Sequence, residues 1–199
     1  MSRTIFYGAA FAAFASASIL TLTAITIPRW VSYTYETSSG PITQTYGLRH
    51  RCRTGPGSTP TTCTPFPTPT DCEDSPHFCS LWRSTSYLMD LSLSLSLLTS
   101  LSFLIILISS SSNPSARKKG WKSLVVLLFL TVMCELVAMS LVSYVYENDE
   151  RFFVGWRLDV CWVLCVVAWG VGLVVAGLVA LVGWVLPEEN VERRGYERL

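Results

Sequence analysis

Four segments of this chain, at about residues 5–27, 85–108, 122–146 and 158–186, are long, apolar and almost free of charge. Each reaches the roughly 20 residues that a helix needs to cross the hydrocarbon of a bilayer. No other feature limits the fold as strongly. Lipid offers the backbone no hydrogen bonds, so only helices and closed barrels satisfy it there, and the four segments are read as helices. Pro28 ends the first, because proline lacks the N–H that would continue the ladder. The fourth is long enough to tilt or to extend past the lipid. Composition points the same way: half of the 199 residues are hydrophobic and only 15% are charged, against about a quarter charged in a soluble domain.

Four crossings place both termini on one side. The basic cluster Arg117, Lys118, Lys119 and Lys122 lies between the second and third segments. By the positive-inside tendency that short loop is cytoplasmic, and the termini with it. The expected plan is a span at 5–27, an outer loop at 28–84, a span at 85–108, a cytoplasmic loop at 109–121, a span at 122–146, an outer loop at 147–157, a span at 158–186 and a cytoplasmic tail at 187–199. Arg3 and Ala15-Ser16-Ala17 have the look of a signal peptide and its cleavage site. The apolar stretch continues ten residues further, so the first segment is read as a retained span.

The run Leu91–Leu98 alternates like a strand, but an isolated strand in lipid would leave its backbone unpaired. Read as a helix, it places Ser92, Ser96 and Ser100 on one face. Gly8, Ala12 and Ser16 share a face of the first span, and Gly172, Ala176 and Ala180 share one of the fourth. Small residues at this spacing let helix backbones approach closely, which predicts a compact four-helix bundle rather than a dimer interface.

Cys134, Cys161 and Cys165 lie in spans and are read as small apolar fillers. Cys52, Cys63, Cys72 and Cys79 lie in the first outer loop. Four cysteines in an oxidising compartment predict two disulfides, with three pairings open. A zinc site with His50 and His77 is the alternative, weakened by the lack of a close C-x-x-C pair. In the same loop, Trp30–Glu36 and Ile42–Leu48 are aromatic and β-branched and flank a Ser-Gly-Pro turn, which predicts an antiparallel hairpin.

Trp30, Gly47-Leu48 followed by Cys52, then Cys63, and Arg83 at the start of the second span resemble the claudin signature of a tryptophan, a Gly-Leu-Trp, two cysteines and an arginine. Gly155-Trp156 before the fourth span resembles the peripheral myelin protein, epithelial membrane protein and calcium-channel gamma branches. The whole plan is similar to the claudin-like tetraspan superfamily, with a distant likeness to fungal pali and Sur7-type members. The resemblance implies a left-handed four-helix bundle under a small extracellular antiparallel sheet built from both outer loops. It implies a Cys52–Cys63 staple; Cys72 and Cys79 are extra to the family pattern and are read as a second pair. Arg49 stands where the family has its second tryptophan, the apolar anchor near the membrane surface.

Two acidic residues fall inside spans: Glu135 near the middle of the third and Asp90 in the outer third of the second. A charge at such depth costs about 2.5–3.5 kcal/mol on insertion scales, so each needs a partner or a task. Glu135 is read as a protonated or hydrogen-bonded carboxyl held by the serine face of the second span, with an ion or proton path as the alternative. Asp90 is expected to pair with Arg83 or Arg157, while Arg157 and Asp159 are read as ordinary boundary residues. Trp82, Tyr87, Trp121, Tyr144, Tyr146, Trp156 and Trp184 are read as interfacial belts.

In the tail, Tyr196 to Leu199 matches a tyrosine-x-x-apolar sorting pattern. Phosphate-cradling glycine loops, zinc-protease helices and nucleophile elbows are absent from the sequence, as is any basic stripe for nucleic acid. The expectation is therefore a non-enzymatic multi-pass plasma-membrane protein without cofactor or metal. Its partners would be lipid and other membrane proteins, whether copies of itself or a larger multispanning protein that it modulates as an accessory subunit.

Overall fold

The computed structural model describes residues 3–55, 61–109 and 114–185, with the side chains of residues 3, 4, 74, 109 and 114–119 left aside. Within these the chain runs α1 (Arg3–Thr26), β1 (Val31–Thr37), β2 (Gly40–Tyr46), β3 (His50–Thr54), β4 (Thr62–Pro65), α2 (Pro69–Asp74), α3 (Pro76–Ser109), α4 (Pro114–Asn148), β5 (Arg157–Leu158) and α5 (Val160–Val185). Four helices, α1, α3, α4 and α5, are long and apolar enough to cross a membrane. Helices α1 and α4 each pack against both α3 and α5, so α1 faces α4 across one diagonal of the bundle and α3 faces α5 across the other.

The second and third helices are longer than the spans 85–108 and 122–146 that apolarity predicts. They begin at Pro76 and Pro114, where proline's missing N–H is harmless and its fixed φ suits a first helical turn. The expected loop 109–121 is correspondingly shorter, and the first outer loop gives up its last nine residues to α3. Apolarity marks where a helix meets lipid; it does not mark where the helix stops. At about 1.5 Å per residue, α1 and α5 measure about 36 and 39 Å, and α3 and α4 about 51 and 53 Å.

The strands form one antiparallel sheet in the order β4-β3-β2-β1-β5. Strands β1 and β2 form the expected hairpin, and Gly40 adopts φ +121° where the chain re-enters the sheet. That region of φ costs glycine nothing. Cys52 faces Cys63 directly across β3 and β4 and is bonded to it, while Cys72 of α2 is bonded to Cys79 of α3.

The interior is divided. An outer cluster beneath the sheet includes Trp30, Phe66, Phe78, Trp82, Met89 and Cys165. An inner cluster includes Tyr7, Phe14, Phe103, Leu124, Leu128 and Val179. Between them lies a layer of buried small and polar residues: Ala17 and Thr21 on α1, Ser92, Ser96 and Thr99 on α3, Thr131 and Glu135 on α4, Ala168 and Gly172 on α5. Two of the three small-residue faces thus turn inward. The third does not: Ala12 and Ser16 are exposed, and nothing lies near Gly8.

Candidate functional site at the junction of sheet and bundle

The C-terminal end of α1 is closed by a residue the helix does not contain. The Ala24 carbonyl would ordinarily accept from the N–H of residue 28, but that residue is Pro28. The indole N–H of Trp30 supplies the missing donor at 2.7 Å. Trp30 is fully buried. Its backbone N–H reaches the Tyr46 carbonyl, and its carbonyl accepts from Asp159 N–H at 2.9 Å. One residue therefore joins α1, β2 and the entry to α5. Beside it, the Arg29 guanidinium donates to both carboxylate oxygens of Asp159, at 3.0 and 3.3 Å. Asp159 is buried and also accepts from Val160 N–H, capping α5. It is far more than the boundary residue its position in the sequence suggests.

The Gly47–His50 turn sits on α3 with every carbonyl satisfied. Gly47 O accepts from the Trp82 indole at 3.2 Å and Leu48 O from Ser86 at 3.2 Å. Arg49 O accepts from Phe66 N–H and His50 O from Gly47 N–H. A Cβ at Gly47 would lie 2.4 Å from Pro28 Cα, so only glycine fits between the turn and the end of α1. Leu48 is buried, whereas Arg49 reaches outward and donates to both oxygens of Asp90 at 2.6 and 2.7 Å.

This pair corrects the expected partners of Asp90. Arg83 is exposed, and Arg157 donates instead to Ser32 at 3.3 Å. The residue that departs from the claudin pattern is the one that meets the acid in α3. The tie it makes there is ionic.

Between sheet and helix ends lies an aromatic core. Tyr33 stacks on Trp156 at 5.2 Å, Tyr46 meets Phe66 edge-on at 4.7 Å, and Phe78 stacks on Trp82 at 5.5 Å. Trp82 and Trp156 are therefore core residues, not belt residues. Tyr87, Tyr144 and Trp184 remain exposed, and Trp121 lies flat on Gly183, leaving 2.6 Å for a Cβ there. Gly155 adopts φ +111° and turns the chain so that Trp156 enters the core. Phe153 and Val154, just before it, are 56% and 97% exposed in the segment between α4 and β5.

The same segment is tied to α2. Arg151 lies over the Phe78 ring at 4.6 Å and donates to the Asp71 carbonyl at 2.9 Å. Asp71 and Thr68 form a capping box at the start of α2. Burial pushes the Asp71 carboxyl up, but the Thr68 hydrogen bonds and the nearby Arg51 and Arg151 outweigh it and hold it below its ordinary value.

In the middle layer, Glu135 of α4 lies 2.7 Å from the Thr21 hydroxyl of α1. The serine face of α3, its expected holder, is buried but occupied: Ser92 and Ser96 donate to the carbonyls of Met89 and Ser92 in their own helix. Hydroxyls in helix interiors commonly back-bond in this way. On the other diagonal the Cys165 thiol points at Met89 Sδ, 3.9 Å away. Among the described residues no cluster of three or more His, Cys, Asp or Glu gathers for a metal.

Sequence reasoning missed Asp159, Thr21 and the role of Trp82. An acid just before an apolar run is an N-cap signal that could have found Asp159. The tail motif at Tyr196 and Leu199 and the side chains of Arg117, Lys118 and Lys119 lie outside the described residues. No protein-family model and no curated protein matches the chain.

Proposed function

We propose that the protein is a non-enzymatic multi-pass membrane protein of the claudin-like tetraspan type, working by lateral or cell-surface association in the plasma membrane. Both termini would face the cytoplasm. What carries this reading is the junction: a stapled sheet is fixed to the helix ends by Trp30, the Gly47 turn and two arginine–aspartate pairs. Such a cap presents a surface of constant shape, with Phe153 and Val154 at its tip, and it follows the bundle wherever the bundle goes. The outward Gly8-Ala12-Ser16 face supports close approach of a second helix.

The test is the association state of the purified protein in lipid nanodiscs, read by cross-linking and mass. Self-association that weakens in Val154→Glu or Ala12→Leu supports lateral assembly. A fixed stoichiometric complex with one large multispanning protein, in place of self-association, would exchange this reading for the accessory-subunit one. A strictly solitary protein overturns both.

A further inference from the structure

We propose that Glu135 is carried as the neutral acid and that its proton closes α1 onto α4, by way of Thr21 to the Ala17 carbonyl. The ground is an inventory of protons in the middle layer. Each hydroxyl has one proton to give. Ser92 gives its own to Met89 O, Ser96 to Ser92 O, Thr99 to Leu95 O and Thr131 to Leu127 O. The Cys165 thiol is turned to Met89 Sδ. Thr21 lies 3.2 Å from Ala17 O and 2.7 Å from Glu135 Oε1.

If Glu135 were ionised, a full charge would sit buried with, among the described residues, only the Thr21 hydroxyl to solvate it, since the other hydroxyls give their protons to their own helices. A buried acceptor without a donor is costly, and a buried charge more so. If Glu135 carries the proton, no charge is buried: the carboxyl donates to Thr21 and Thr21 donates to Ala17 O. The chain of donors runs one way and ends on a backbone carbonyl.

The surroundings agree from every side. Glu135 is 4% exposed. Helix α1 presents Thr21 and α3 presents uncharged Met89, Ser92 and Ser96, with Asp90 turned outward to Arg49. Among the described residues, the titratable groups that feel its charge are Cys165 of α5 and Cys134 of its own helix, neither a cation. Among the described residues no lysine, arginine or histidine forms an ion pair with it. The contact joins diagonal helices that otherwise barely meet, so this one hydrogen bond is a direct tie between them. This inference is independent of what the outer surface binds.

The full chain in lipid bilayers at neutral pH, examined by infrared difference spectroscopy, tests it. Wild type minus Glu135→Gln should contain the C=O stretching band of a protonated carboxyl. In Thr21→Val, which removes the accepting hydroxyl, that band should move to higher wavenumber. Should Glu135→Gln fail to assemble, wild type labelled with carbon-13 at glutamate carboxyls gives the same answer, since the band must shift with the label. A spectrum containing only glutamate carboxylate bands, or a protonated band indifferent to Thr21→Val, overturns the proposal.

Discussion

Gly47 and Asp159 concentrate the chemistry of the junction in single residues. Gly47→Ala forces a methyl against Pro28, and overpacking of this kind costs about 1–3 kcal/mol. The expected result is a clear drop in melting temperature of the detergent-solubilised protein, whereas Gly8→Ala, with open space around it, leaves melting unchanged. The two arginine–aspartate pairs should also separate. The Arg49 and Asp90 side chains are 56% and 42% exposed, and pairs so solvated contribute about 0.2–1 kcal/mol. The Asp159 side chain is 7% exposed and accepts from both Arg29 and Val160. Charged hydrogen bonds in buried settings are worth about 1.5–3 kcal/mol. Asp159→Asn should therefore lower the melting temperature more than Asp90→Asn does; equal shifts would mean that Asp159 is not the stronger tie. Sequence alone marked Arg49 as a departure and Asp90 as a burden. It could not join them, because their 41-residue separation closes only once the turn is laid on α3.

At the level of elements, the sheet and α2 depend on their staples. The Cys52–Cys63 bridge closes a loop with a sequence separation of 11, for which chain entropy gives about 3 kcal/mol. The double variant Cys52→Ser/Cys63→Ser should lose about that much in denaturant unfolding. Helix α2 adds an acid dependence. The Asp71 carboxyl is lower in the folded chain than in the unfolded one, so its contribution is full above the unfolded value of about 4. It is lost as pH falls through the folded value. Melting measured between neutral and strongly acidic pH should show this loss in wild type and a shallower one in Asp71→Asn. The helices and the first hairpin were legible because each rests on a local pattern: apolar length, a prolyl stop, alternation around a turn. Strands β3, β4 and β5 were not legible at residue level. They are short and polar, and they exist because Cys52, Trp156 and the neighbouring edges hold them in register.

For the molecule as a whole, the proposed orientation predicts opposite labelling of its two sides. A cysteine placed at Val154 should react with a membrane-impermeant maleimide on intact cells, and one placed at Glu188 only after permeabilisation. The reverse pattern would invert the topology. The architecture was largely readable from the four apolar runs, yet the division of the interior into two apolar cores was not. Thr21, Thr99 and Thr131 look like tolerated hydroxyls in apolar stretches until packing turns all three inward.

The unequal helix lengths have a consequence for how the cap meets its surroundings. Helices α1 and α5, at about 36 and 39 Å, are close to the roughly 30 Å of hydrocarbon that a span must match, while α3 and α4 overshoot it. In a thin membrane the short pair must lean to hide its apolar length. The α3–α4 hairpin, packed against both, must lean with it and carry the sheet down toward the headgroups. In a thicker membrane all four stand upright and the sheet rises clear. Bilayer thickness would then set the angle at which the outer surface is offered.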